Sequence, residues 1–201
     1  EKMDERTAVE KFFTSRPFDG SSAVQIVSSG PDSPAQQIKY GFVKLIGGAK
    51  KTLYLQTPYL IPDDTILDGL KIAVNSGVDV RVMIPGVPDK KFVYYATLSY
   101  VEELLEAGVR VYAYNGFLHS KMVVADSAVC TLGTTNMDLR GFSLAFEINA
   151  FIYDPRFAGQ CTQMFIGDIA SCRELALESF RKRGLWSKMK ESIFRLLSPL
   201  M

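Results

Sequence analysis

The sequence predicts an α/β fold in which a mixed β-sheet is flanked by helices. Three observations carry this: short β-branched apolar runs, longer helix-period segments between them, and glycine or proline punctuation at the changeovers. Of the 201 residues, 47% are hydrophobic and 22% charged, which supplies a real core and excludes a disordered or collagen-like chain.

The runs Ala23 to Val27, Thr52 to Thr57, Val78 to Ile84 and Val109 to Tyr114 read as strands. Helices are expected near 35–48, 63–75 and 90–107. Pro62 and Asp63 open the second and Asn75-Ser76-Gly77 end it, while Gly108 closes the third. Lys121 to Ala125 and Ala128 to Gly133 read as two strands joined by a tight hairpin at Asp126-Ser127. A further strand, Ala145 to Tyr153, stops at Asp154-Pro155. No linker, repeat or low-complexity tract divides the chain, so one domain is expected over 1–183, followed by an appendage over 184–201.

In that appendage Leu185, Trp186, Met189, Ile193, Leu196, Leu197 and Leu200 recur at three- and four-residue intervals. Lys188, Lys190, Glu191 and Arg195 take much of the remaining surface, and Ser198-Pro199 marks the end. Such a helix suits a membrane interface, with Trp186 at headgroup depth and lysines toward anionic lipid. Docking of the apolar stripe on its own domain is the other reading.

Net charge is +1, which removes the simplest argument for a nucleic-acid partner. Residues 181–201 carry six bases against one acid, leaving an acidic body before a basic tail. Cys130, Cys161 and Cys172 are odd in number and lack metal-ligand spacing, so they read as small buried hydrophobes in a reducing compartment. No apolar stretch reaches the roughly 18 residues that span a bilayer, and EKMDERTAVEKFF is too charged for a signal peptide. The chain starts with Glu1, so it is read as a piece of something longer, with processing as the other route to such a start.

The only histidine is His119, in FLHSKMVVAD. Two residues apart on a strand, His119 and Lys121 share a face while Met122 and Val124 face the core. Asp126, Gly133-Thr134-Thr135-Asn136 and Glu147 complete a set that suits a phosphodiester: Lys121 supplies charge, Asn136 amide hydrogens, and Gly133 close backbone approach. His119 is fitted to attack phosphorus or to protonate a leaving alkoxide, with Glu147 expected on its other ring nitrogen. Asp126, at the bend and at opposite parity to His119, reads as holding the turn or pairing with a nearby base. An ordinary histidine beside a salt bridge is the plain alternative.

His119-Ser120-Lys121, then Asp126, then Gly133-Thr134-Thr135-Asn136 resembles the HxKxxxxDxxxxxxG(S/T)xN motif of the phospholipase D superfamily. Within it, IVSSGPDS, QTPYLIPDD, MIPGVPDKKFVYYAT and GTTNMDLRGFSLAFEINAFIYD are similar to the C-terminal half of bacterial cardiolipin synthases, over about nine tenths of the chain. The resemblance implies a phospholipase D-like domain and phosphatidyl transfer between two phosphatidylglycerol molecules through a phosphohistidine, with no metal or other cofactor. It makes His119, Lys121, Asn136, Glu147 and Asp126 the catalytic set, His119 as general acid and base. Thr134, Tyr59 and Arg140 become substrate-binding candidates, and Ser28 to Asp32 a weaker rim candidate. Gly141 and Ala145 stand where similar proteins more commonly carry Ser and Asn, a difference that bears on acceptor binding.

Such enzymes use two HKD motifs, and one histidine makes one motif. The second is expected from an absent N-terminal half, where the membrane spans of the family also lie, or from a second copy of the chain. The implied setting is the cytoplasmic face of a bacterial membrane with an anionic surface. A homodimeric phosphodiesterase or endonuclease of the superfamily is the leading alternative, and a noncatalytic lipid-associated domain is a third.

Overall fold

The computed structural model describes residues 20–198, so Leu200, Pro199 and the charged N-terminal stretch lie outside the described residues. In chain order the elements are β1 Ala23–Ser29, α1 Gln37–Gly48, β2 Thr52–Gln56, β3 Leu60–Ile61, α2 Asp64–Asn75, β4 Asp79–Pro85, α3 Lys91–Ala107 and β5 Arg110–Tyr114. There follow β6 Met122–Ala125, β7 Val129–Gly133, β8 Met137–Asp138, α4 Leu139–Ser143, β9 Glu147–Tyr153, α5 Pro155–Ile169, β10 Cys172–Leu175, α6 Leu177–Arg181 and α7 Leu185–Leu196.

Eight strands form one mixed sheet in the order β1-β9-β7-β6-β2-β4-β5-β10. Within this sheet only β2, β4 and β5 are parallel to one another, and the helices that cross between them, α2 and α3, cover one face. Side-chain alternation separates two cores. Leu53, Leu55, Val82, Ile84, Val111 and Val123 pack beneath α1, α2 and α3, whereas Tyr54, Met83, Tyr112, Met122, Val124 and Cys130 pack beneath α5. The expected mixed sheet between helices is therefore the observed one.

The stop signals work as local chemistry demands. Asp63 caps α2 by accepting the Ile66 N–H at 3.0 Å, and Gly108, at φ +97°, ends α3 in the left-handed region. Asp126 and Ser127 have φ of +55° and +51°, and the Ala128 N–H donates to the Ala125 carbonyl at 3.0 Å, so the β6–β7 hairpin closes through the three residues 126–128 between the paired Ala125 and Val129. Cys130 and Cys161 are buried with their sulfurs 3.9 Å apart, and burial pushes the Cys130 thiol up to about 12.

One expectation fails near the motif. His119 and Lys121 do not lie on a strand, because β6 begins at Met122. The ladder with β2 ends at the Gln56–Met122 pair, after which β2 gives way to the Thr57-Pro58 bend, and Lys121 has no strand partner there. Nor does β6 have one core face, since Met122 and Val124 pack under α5 while Val123 and Ala125 pack under the other helices.

Candidate active site

The C-terminal ends of the parallel strands β2, β4 and β5 point toward the segments that carry the motif, the place where open α/β sheets bind ligands. The segment after β2 is fastened to the segment after β7. Thr57 Oγ1 donates to the Tyr59 carbonyl at 2.8 Å and accepts the Met137 N–H at 3.3 Å. Beyond that clasp, β3 and β8 pair in parallel, Leu60 with Met137 and Ile61 with Asp138. Tyr59 and Asn136 are thereby brought to one rim.

Tyr59, Asn136, Arg140 and Glu147 line a cavity of about 420 Å³, together with Lys90, Phe92 and Asp138. Gly141 and Ala145, the two positions that depart from the resemblance, line it as well. Glu147 also borders a second cavity of about 600 Å³ formed by Ser28, Ser29, Gly30, Asp32, Ser33 and Gln37. The polar turn before α1 and the first cavity thus meet at one carboxylate.

Lys121 is half-buried, and its Nζ donates to the His119 carbonyl at 2.9 Å. Burial holds the ammonium below the ordinary lysine range, against the pull of Glu147, Asp138 and Asp89. His119 is exposed; its ring stacks on Phe117 with centroids 5.7 Å apart and an interplanar angle of 11°. Among the described residues Glu147 makes no hydrogen bond to the imidazole, so the expected carboxylate–histidine pair is not formed within this chain's arrangement. Asn136 Oδ1 is buried without a hydrogen-bond partner among the described residues.

Asp138 is the residue that sequence reasoning missed. Only 5% exposed, it caps α4 by accepting the Gly141 N–H at 2.5 Å. Burial raises its carboxyl above the usual range, opposed by the Gly141 N–H and the Asn136 side chain. An Asp two residues after Asn136, before a short helix, was the available signal. Asp89 is a second such residue: Tyr59 donates its hydroxyl to Asp89 at 2.8 Å, and burial, aided by that bond, pushes the phenol to about 12.

Asp126 and Thr134 are placed elsewhere. Asp126 accepts the backbone N–H groups of Lys50, Lys51 and Thr52 at 2.7–2.8 Å, tying the hairpin bend to the start of β2 at the opposite end of β6 from Lys121. This is the turn-holding role, and it separates Asp126 from the catalytic set. The Thr134 hydroxyl bridges the Ile148 carbonyl and N–H of β9 at 3.3 and 3.0 Å. Gly133 does permit close approach, but to β9: a Cβ there would sit 2.3 Å from the Ile148 carbonyl oxygen and from Asn149 Oδ1.

The family described as cardiolipin synthase, PLD-like domain, matches residues 42–169. The chain belongs to that family. A cardiolipin synthase of Listeria innocua serovar 6a is 52% identical over 183 residues, covering 90% of this chain and 38% of the relative. One from Staphylococcus aureus (strain N315) is 51% identical over 193 residues, covering 96% and 39%. The chain thus spans about two fifths of the length of the cardiolipin synthases it matches.

Solved structures of lower identity share the fold. Phosphatidylserine synthase from Haemophilus influenzae Rd KW20 superposes with a TM-score of 0.72 at 16% identity, over 90% of this chain and 48% of that one. Nuc, a phospholipase D family member from Salmonella typhimurium, superposes at 0.64 and 19%, over 78% and 99%. Among the described residues of this cardiolipin synthase-family chain, no helix is long and apolar enough to cross a membrane.

Proposed function

We propose that the chain supplies one half of a phosphatidyl-transfer site that joins two phosphatidylglycerol molecules into cardiolipin and releases glycerol. The observation that carries this reading is the half-buried Lys121 ammonium, within electrostatic reach of Glu147 and Asp138, two carboxylates that line one cavity with Asn136 and Arg140. A fixed ammonium with amide and guanidinium neighbours stabilises the charge that builds on phosphoryl oxygens in the transition state.

A histidine of the other half attacks phosphorus of the first phosphatidylglycerol, forming an N–P bond as the bond to the glycerol oxygen breaks. His119 gives its proton to that oxygen, and glycerol departs. His119, now neutral, takes the proton from a headgroup hydroxyl of the second phosphatidylglycerol. The resulting oxygen nucleophile displaces the histidine, and cardiolipin leaves. Lys121 and Asn136 hold the phosphate through both displacements, and the His119 ring is exposed and so accessible to a second half-site.

The missing half-site comes from the N-terminal portion that the longer relatives possess, or from a second copy. Purified chain offered phosphatidylglycerol vesicles tests the division. A monomer should make no cardiolipin, and adding the N-terminal half should restore it; fast turnover by the monomer would defeat the half-site reading. Transfer confined to a dimer, or cleavage of DNA in place of lipid, would favour the homodimeric phosphodiesterase.

A further inference from the structure

Helix α7 is docked by its polar side. Glu191 is 5% exposed and accepts both terminal N–H groups of Arg183, while Phe194 stacks on Tyr95 of α3 with centroids 5.7 Å apart and planes at 12°. Arg195 lies 4.4 Å over the Tyr100 ring and reaches Glu103 at 3.2 Å. At about 100° per residue these positions centre on the side opposite Leu185, Trp186, Met189, Ile193, Leu196 and Leu197, which fill an arc of roughly 120°. That arc faces solvent: Leu185 is 86%, Trp186 73% and Leu196 82% exposed. The stripe predicted from sequence therefore does not hold the helix to its own domain.

We propose that this stripe seats the chain on an anionic phospholipid bilayer and brings the lipid toward the cavity, an inference that rests on the phosphatidyl-transfer reading. Two features favour a bilayer over a second copy of the chain. The first is charge at the border of the stripe, where phosphate headgroups would lie. Among the described residues Lys190 has no carboxylate within ion-pair reach, its ammonium lying 5.5 Å from the Tyr95 ring centroid. Arg181, Lys188 and Arg195 are drawn to Glu102, Glu103 and Glu106 of α3, so the charge surplus is small and the apolar arc does most of the holding.

The second is continuity with the cavity. Its wall includes Lys90, Phe92 and Val93, at the start of the same α3 that carries α7. Phe92 is 45% exposed and stands three residues before Tyr95, the ring on which α7 rests, so cavity rim and tail contact share one helix face. A lipid whose phosphate enters beside Asn136 has its acyl chains released along this helix.

Trp186 is the only tryptophan, so its emission reports on this helix directly. Full-length chain mixed with vesicles of equal parts phosphatidylglycerol and phosphatidylcholine should float with them, show a blue-shifted emission, and be quenched by bromines on the acyl chains. Replacing Ile193→Asp and Leu196→Asp together should cut the floated fraction by about tenfold with an unchanged far-UV circular dichroism spectrum. If that variant does not fold, bromine quenching of the unaltered chain decides alone. Unquenched Trp186, or a folded variant that floats as well as the parent, overturns the proposal. So does an emission that shifts with protein concentration before lipid is added, since the stripe then joins copies of the chain. Flotation that persists when the complete assembly makes no cardiolipin would sink the transfer reading and leave the bilayer contact standing.

Discussion

The Lys121 ammonium bends back to the carbonyl of His119, two residues earlier, at 2.9 Å. One hydrogen bond joins the motif's cation to the backbone of its imidazole, and Glu147, Asp138 and Asp89 act on that cation through electrostatics. Lys121→Ala in the complete assembly should lower turnover by about 10²–10³-fold with folding intact, the scale of losing one transition-state donor. Steady-state phosphatidyl transfer and a thermal melt check both halves. With its proton affinity lowered by burial, Lys121 loses its charge as pH rises through a value under the ordinary 10.5, so the alkaline limb of the rate profile should begin below that point.

Asp138 touches the Asn136 loop and no expected reacting atom, so it is a positioning residue. Asp138→Ala frees the Gly141 N–H and loosens the loop that presents Asn136. Turnover should fall about tenfold, while Asp138→Asn, which keeps an acceptor oxygen, should recover most of it. Equal losses in both variants would mean that the negative charge itself matters.

Asp126 should matter for stability. Burial works to raise its carboxyl, but three N–H donors hold it below the usual value of 3.8. A depressed carboxyl stabilises the fold fully above that value and loses its contribution as pH falls through the lower folded-state value. Asp126→Ala should therefore cost about 1–2 kcal/mol at neutral pH and flatten the acid side of the stability curve. Denaturant unfolding at pH 7 and pH 3 measures the difference.

Gly133→Ala drives a methyl into β9. With the Ile148 carbonyl oxygen and Asn149 Oδ1 each 2.3 Å from the new carbon, the β7–β9 ladder has to part. A loss of about 1–3 kcal/mol is expected, visible as a lower denaturant midpoint.

Much of this was legible beforehand because its causes are local. The Asp63 cap, the Gly108 stop and the Asp126-Ser127 turn each depend on residues within a few positions, and each appears where the sequence puts it. The displacement of His119 and Lys121 from a strand was not legible, because it follows from where β2 ends, 65 residues before Lys121 in the chain. Asp138 and Asp89 were missed for a related reason. Their meaning comes from Asn136 and Tyr59 arriving beside them in three dimensions, and an isolated Asp near a helix start resembles any cap. The apolar stripe of the tail is visible in its periodicity, but periodicity alone does not tell which side of a helix meets its own domain.

The two-residue β3–β8 ladder has a practical corollary. Because Leu60-Ile61 and Met137-Asp138 are zipped together and Thr57 clasps both strands' approaches, the rim behaves as a single cassette assembled from two distant stretches of chain. Grafting one stretch from a homologue without its mate would leave mismatched halves, so attempts to re-engineer acceptor choice should transplant 57–61 and 134–141 as a set.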